Sequence, residues 1–80
     1  MEDKKMTRES KMVFKARKAD AVSIECFVRD GNEPWRRQGV IPRKGTVAEN
    51  IAAEIANLER FGWTLYDVED GNTLTAWKEF

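Results

Sequence analysis

Thr46-Val47-Ala48-Glu49-Asn50-Ile51-Ala52-Ala53-Glu54-Ile55-Ala56-Asn57-Leu58-Glu59-Arg60-Phe61-Gly62 decides the reading of this chain. Thr46 and Glu49 have the spacing of a capping box, in which each side chain satisfies an orphan backbone N–H of a helix's first turn. Val47, Ile51, Ile55 and Leu58 then recur at helical spacing, with Ala48, Ala52 and Phe61 beside them. They form one apolar stripe, sized to pack on a sheet. Glu49, Asn50, Glu54, Asn57 and Glu59 fall outside the stripe and are expected in solvent. Gly62 can adopt the left-handed conformation that ends helices.

Outward from this helix the period changes from 3.6 to two. Upstream, Met12, Phe14 and Ala16 alternate with Val13, Lys15 and Arg17, and Val22, Ile24, Cys26 and Val28 alternate with Ser23, Glu25, Phe27 and Arg29. These are two strands with one buried face each, joined by a turn over residues 18–21. Asp30-Gly31-Asn32, Pro34, Gly39, Pro42 and Gly45 punctuate the next segment. It reads as a turn, a third strand over residues 35–41 confined by proline to a sheet edge, and a second turn. Downstream, residues 63–69 and 73–80 are rich in aromatic and β-branched types around Asp70-Gly71-Asn72, a hairpin signal. The fold class is α+β: a small antiparallel β-sheet with one helix packed across it, in the order β-β-(β)-α-β-β. Residues 1–11 are almost wholly polar and predict a disordered tail, leaving residues 12–80 as the single domain.

Composition narrows the function. The 80 residues carry 14 basic and 14 acidic side chains, but residues 1–45 hold 12 basic against 7 acidic and residues 46–80 hold 2 against 7. The two parts are thus +5 and −5, an asymmetry that steers partners even in a neutral molecule. There is no histidine, so Ser-His-Asp and Cys-His constellations and histidine metal sites cannot be assembled within one chain. The single cysteine, Cys26, excludes an intrachain disulfide. Its apolar neighbours Ile24, Phe27 and Val28 predict a buried thiol, a reducing compartment and hence a cytoplasmic protein. No membrane span or export signal is legible. Asp67, Glu69 and Asp70 are close enough in sequence for a carboxylate pair, yet a solvated turn accounts for them. Arg43-Lys44-Gly45-Thr46 could touch an anion at the helix N-terminus but lacks the spaced glycines of a phosphate loop. We read no catalytic residue, no cofactor site and no metal site.

Binding is the function class that remains. Trp35, Arg36, Arg37, Arg43 and Lys44 lie within one basic arm, offering cation–π, stacking and salt-bridge geometry. If Ile24 and Cys26 face the helix, then Arg17, Phe27 and Arg29 face away with Lys15 and Glu25, and Tyr66 and Trp77 join them on an outer aromatic and cationic face. The alternative for Trp35 is to fold back over the core edge. The leading expectation is a non-enzymatic protein-binding module, with a homodimer across the open sheet as its self-binding form; by type, it matches small phage or mobile-element inhibitors and regulators of host machinery, anti-CRISPR proteins among them. The alternative is a nucleic-acid binder using the basic sheet and the Trp35-Arg36-Arg37 arm.

Leu58-Glu59-Arg60-Phe61-Gly62-Trp63-Thr64-Leu65-Tyr66-Asp67-Val68 resembles a small bacterial domain family of unknown function. That family ends in a helix, then Gly-Trp-Glu-Leu-Val, then a hairpin with an aromatic and basic last strand. Residues 73–80, with Ala76-Trp77-Lys78, are similar to that strand. Thr64 stands where the family has an acidic residue. The resemblance covers about the last third of the chain and implies a fold, with Trp63 and Leu65 in the core, but no activity.

Overall fold

The computed structural model describes residues 6–79. Strands β1 (Thr7–Lys18) and β2 (Ala21–Asp30) form a long hairpin. Strand β3 (Arg36–Lys44) follows, then helix α1 (Val47–Arg60), a short β4 (Thr64–Leu65) and β5 (Thr73–Glu79). All pairings are antiparallel and the sheet order is β3-β2-β1-β5-β4. The fold is therefore α+β, a five-stranded sheet with one helix, as the periodicities predict.

The helix begins as its capping box requires. The Glu49 backbone N–H donates to Thr46 Oγ1 at 3.1 Å and the Thr46 N–H donates to Glu49 Oε1 at 2.9 Å. Gly62 takes a φ of +85° just past the last turn, where a side chain would be strained. Lys78 Nζ donates to the Phe61 carbonyl at 2.7 Å, placing a cation at the negative end of the helix dipole.

The core lies between α1 and one face of the sheet. Phe14, Val22, Ile24, Leu74 and Ala76 from the strands meet Ile51 and Leu58 from the helix, with Met12, Cys26, Val47, Ile55, Trp63 and Leu65 packed around them. Three residues expected beside the stripe depart from it: Phe61 is 60% exposed, and Ala48 and Ala52 face solvent. Phe61 is the helix C-cap, beyond the helical turns that carry the stripe. Conversely, Asn50 is buried. Its amide donates to the carbonyls of Lys44 and Thr46, both at 2.9 Å, and so ties the helix start to the end of β3.

The N-terminal boundary needs correction. The chain enters β1 at Thr7, not Met12, so residues 7–11 of the expected tail are strand; residues 1–5 lie outside the described residues. Polar residues persist in a strand here because they pair across it. Arg8 Nε meets Asp30 Oδ1 at 2.7 Å and Arg29 Nε meets Glu9 Oε1 at 2.6 Å, while β5 supplies partners from Glu79 to Thr73 on the other side. The third strand exists and is an edge, but it runs on to Lys44 through Pro42, whose missing N–H an edge can tolerate. The strand expected over 63–69 shrinks to Thr64–Leu65 plus a bridge from Glu69 to Thr73. Asp70 and Gly71 both take positive φ, 53° and 70°, as a tight primed hairpin turn requires.

Candidate functional site: the outer sheet face

Helix α1 covers one face of the sheet, and the register sets what stands on the other. Because side chains alternate, residues directly opposite one another across the strands share a face. One outer row runs Thr64, Trp77, Glu9, Arg29, and the next runs Thr75, Lys11, Phe27, Arg37. Thr73, Val13, Glu25 and Val40 make a third, and Lys15, Ser23 and Pro42 a fourth. Tyr66 joins this face, its N–H donating to the Thr75 carbonyl at 2.9 Å and its hydroxyl donating to Glu9 Oε2 at 3.4 Å. Phe27, Tyr66 and Trp77 are therefore all outward.

Trp35, in the loop between β2 and β3, lies on this same face and not over the core edge. Arg29 Cζ stands 4.4 Å and Lys11 Nζ 4.7 Å from its ring centroid, and Lys11 Nζ is also 5.0 Å from the Phe27 ring. Arg29 is held in turn by Glu9. Two aromatic rings, two cations and a carboxylate thus interlock across two strands and a loop, an arrangement that fixes the Trp35 side chain while leaving it only half-buried. Next to it Arg37 Nε meets Glu25 Oε2 at 2.7 Å, with Lys15 Nζ at 4.0 Å from the other oxygen. The Arg37 hydrogen bond holds the Glu25 carboxyl below its usual range, so it is ionised at neutral pH and unsuited to proton donation. Burial and the adjacent Glu9 push the Tyr66 hydroxyl up, keeping it protonated.

The expected partner-binding residues divide between the two faces. Trp35, Arg37, Phe27, Arg29, Arg17 and Lys44 belong to the outer face. Arg36 pairs with Val28 and Arg43 with Val22 in the register, which puts them on the helix side. There Arg36 Nη2 lies 3.6 Å from Asp30 Oδ2, the carboxylate that Arg8 also binds and holds below its usual range. The bulge between Cys26 and Phe27, opposite Gly39, shifts the alternation along β3, and single-strand periodicity carries no trace of it.

The candidate anion contact ahead of the helix is partly taken up by the chain itself. The capping box engages the N–H groups of Thr46 and Glu49, and the Gly45 N–H donates to the Asp20 carbonyl at 3.1 Å. The Thr46 backbone hydrogen bond holds the Glu49 carboxyl low, so a negative charge already sits at this helix end. Cys26 borders the core and a shallow hollow lined by Gln38, Gly39, Val40 and Ile41; burial pushes its thiol up, away from the reactive thiolate. Among the described residues no group of His, Cys, Asp and Glu side chains could hold a metal ion, and no helix is long and apolar enough to cross a membrane.

Two features of the site escape single-sequence reading. Lys11 is assigned to the tail by its polar neighbours, yet it is the cation shared by Phe27 and Trp35. Glu9 likewise braces Arg29 and Tyr66. Only the strand partners reveal either role. Compared with known proteins, the chain matches no family model, no curated protein and no solved structure.

Proposed function

We propose that this protein is a non-enzymatic protein-binding module that works through its outer sheet face, with Trp35 as the anchor. The observation that carries this reading is the Trp35 arrangement itself. An indole held by Arg29 and Lys11, beside Phe27 and with Tyr66 and Trp77 on the same face, has the aromatic and arginine composition of interface hot spots. Holding the ring in place before contact lowers the entropy cost of binding. The small size and divided charge suit a cytoplasmic inhibitor or regulator of the type that phages and mobile elements direct at host machinery. A homodimer across the same open face is the self-binding form of this reading.

The test is capture of a host protein on immobilised wild type, Trp35→Ala and Arg37→Ala. Trp35→Ala should abolish capture while costing about 1–2 kcal/mol of stability, because its ring is only half-buried. Arg37→Ala should weaken capture and Arg36→Ala, on the other face, should not. Undiminished capture by Trp35→Ala would sink the proposal.

A nucleic-acid partner is the second reading, favoured by the cations that surround the aromatic rings. It requires affinity for an oligonucleotide that falls steeply with salt. A salt-independent complex, or none, excludes it.

A further inference from the structure

The helix and the outer sheet face carry opposite charge. Helix α1 carries Glu49, Glu54 and Glu59 against Arg60, whereas the outer sheet face is predominantly cationic. The cations are also unevenly distributed on that face. Near Trp35, Glu9 pairs with Arg29 and Glu25 with Arg37 and Lys15, while Lys11 lies over the two rings. At the far end of the β1–β2 hairpin, Lys18 and Lys44 flank Ala21 in one row, two strand spacings or about 10 Å apart, with Lys15 one row in. Arg17, at the irregularity between Ala16 and Lys18, joins them by donating from Nε to Ser23 Oγ at 2.8 Å. Among the described residues, Arg17, Lys18 and Lys44 have no carboxylate within ion-pair distance.

This cluster has close borders. Glu25 lies along β2 on the Trp35 side, Asp20 is in the hairpin turn, and the Glu69–Asn72 turn abuts Phe14, whose N–H donates to the Asn72 carbonyl at 2.8 Å. A phosphate backbone, which carries charge at every residue, would run onto Glu25, Glu69 or Asp70 in leaving the cluster. A short run of carboxylates on a protein can begin and end within it. Resting on the protein-contact reading, we infer that the partner of the outer face presents an acidic segment, which docks on the strand ends at Lys15, Arg17, Lys18 and Lys44.

The probe is a labelled peptide of about ten glutamates, titrated with the full chain beside an uncharged Gly-Ser peptide and a mixed-sequence single-stranded DNA of similar length. The glutamate peptide should bind and the uncharged one should not. Lys18→Glu with Lys44→Glu should weaken binding about tenfold or more, and so should raising salt from about 50 to 200 mM. Both lysines are exposed, and unchanged thermal melting of the double variant confirms that it folds; Lys18→Gln with Lys44→Gln serves if it does not. Absence of glutamate binding, indifference to charge reversal, or DNA bound more than about tenfold tighter than the peptide would each overturn the assignment. Failure on the first two counts leaves the Trp35 capture test standing, whereas preferential DNA binding with loss on charge reversal removes the protein-contact reading as well.

Discussion

Ile24 and Phe27 stand three residues apart on β2 and face opposite sides of the sheet. Ile24 is 1% exposed, enclosed by Phe14, Leu74 and the helix. Phe27 is half-buried, beneath a lysine that also serves Trp35. The helix-side face is held by apolar burial, which tolerates no substitute for volume. The outer face is held by pairs of charged and aromatic groups, each of which contributes little and remains accessible. One strand thereby serves stability on one side and recognition on the other. Large apolar side chains alone do not distinguish the two roles; the layer they meet does.

The largest contrast should appear on truncating an aromatic on each face. Phe14→Ala should cost about 3–5 kcal/mol, enough to unfold much of a chain this small. Phe27→Ala should cost about 1–2 kcal/mol and leave the melting transition cooperative. Comparable losses in chemical denaturation would break the comparison. Next in size is the junction that sets the helix over its face. Thr46→Ala removes the acceptor for the Glu49 N–H and should cost about 1 kcal/mol, seen as a lower denaturation midpoint at unchanged slope.

The smallest effect sharpens the comparison through pH. Glu25, Asp30 and Glu49 all have carboxyls held below their ordinary values, Glu25 by Arg37, Asp30 by Arg8 and Glu49 by Thr46. A lowered native value means that the unfolded chain binds protons more readily. The stability from these groups is therefore complete above about pH 5 and is lost as pH falls through the carboxylate range. Each remains open to solvent and contributes modestly, so melting temperature should be flat from pH 7 to about 5 and then decline. Glu25→Gln should reduce the decline, whereas Phe27→Ala should shift the whole curve down without changing its shape. A steeper decline in Glu25→Gln than in wild type would contradict the assignment of that pair.

Much of the architecture was legible because it rests on local chemistry. The capping box at Thr46 and Glu49, the helix stop at Gly62 and the turn at Asp70-Gly71 are set by neighbours within a few residues. The alternation on β1 and β2 separates Phe14 and Ile24 from Phe27 and Arg29 onto opposite faces, and the structure decides that the first pair meets the helix. Legibility failed where partners are distant. Thr7–Lys11 reads as tail because its strand identity rests on Glu79 to Thr75 of β5, and Asn50 reads as solvent-facing because its acceptors include Lys44, across the loop. The basic arm reads as one site, but the bulge at Gly39 and the register place Arg36 and Arg43 behind the sheet.

Period and capping, read from the sequence by themselves, determined one amphipathic helix set among two-period strands, and composition determined the divided charge and the absence of histidine chemistry. Both follow from residue type and short-range geometry, which the linear order contains. Tertiary structure alone decided that Trp35 lies over Lys11 and Arg29, that Glu9 braces Arg29, and that Arg17, Lys18 and Lys44 gather at the end of the β1–β2 hairpin. Those outcomes depend on which strands lie side by side and in which register. That choice minimises exposed apolar surface over the whole chain, and no local window records it.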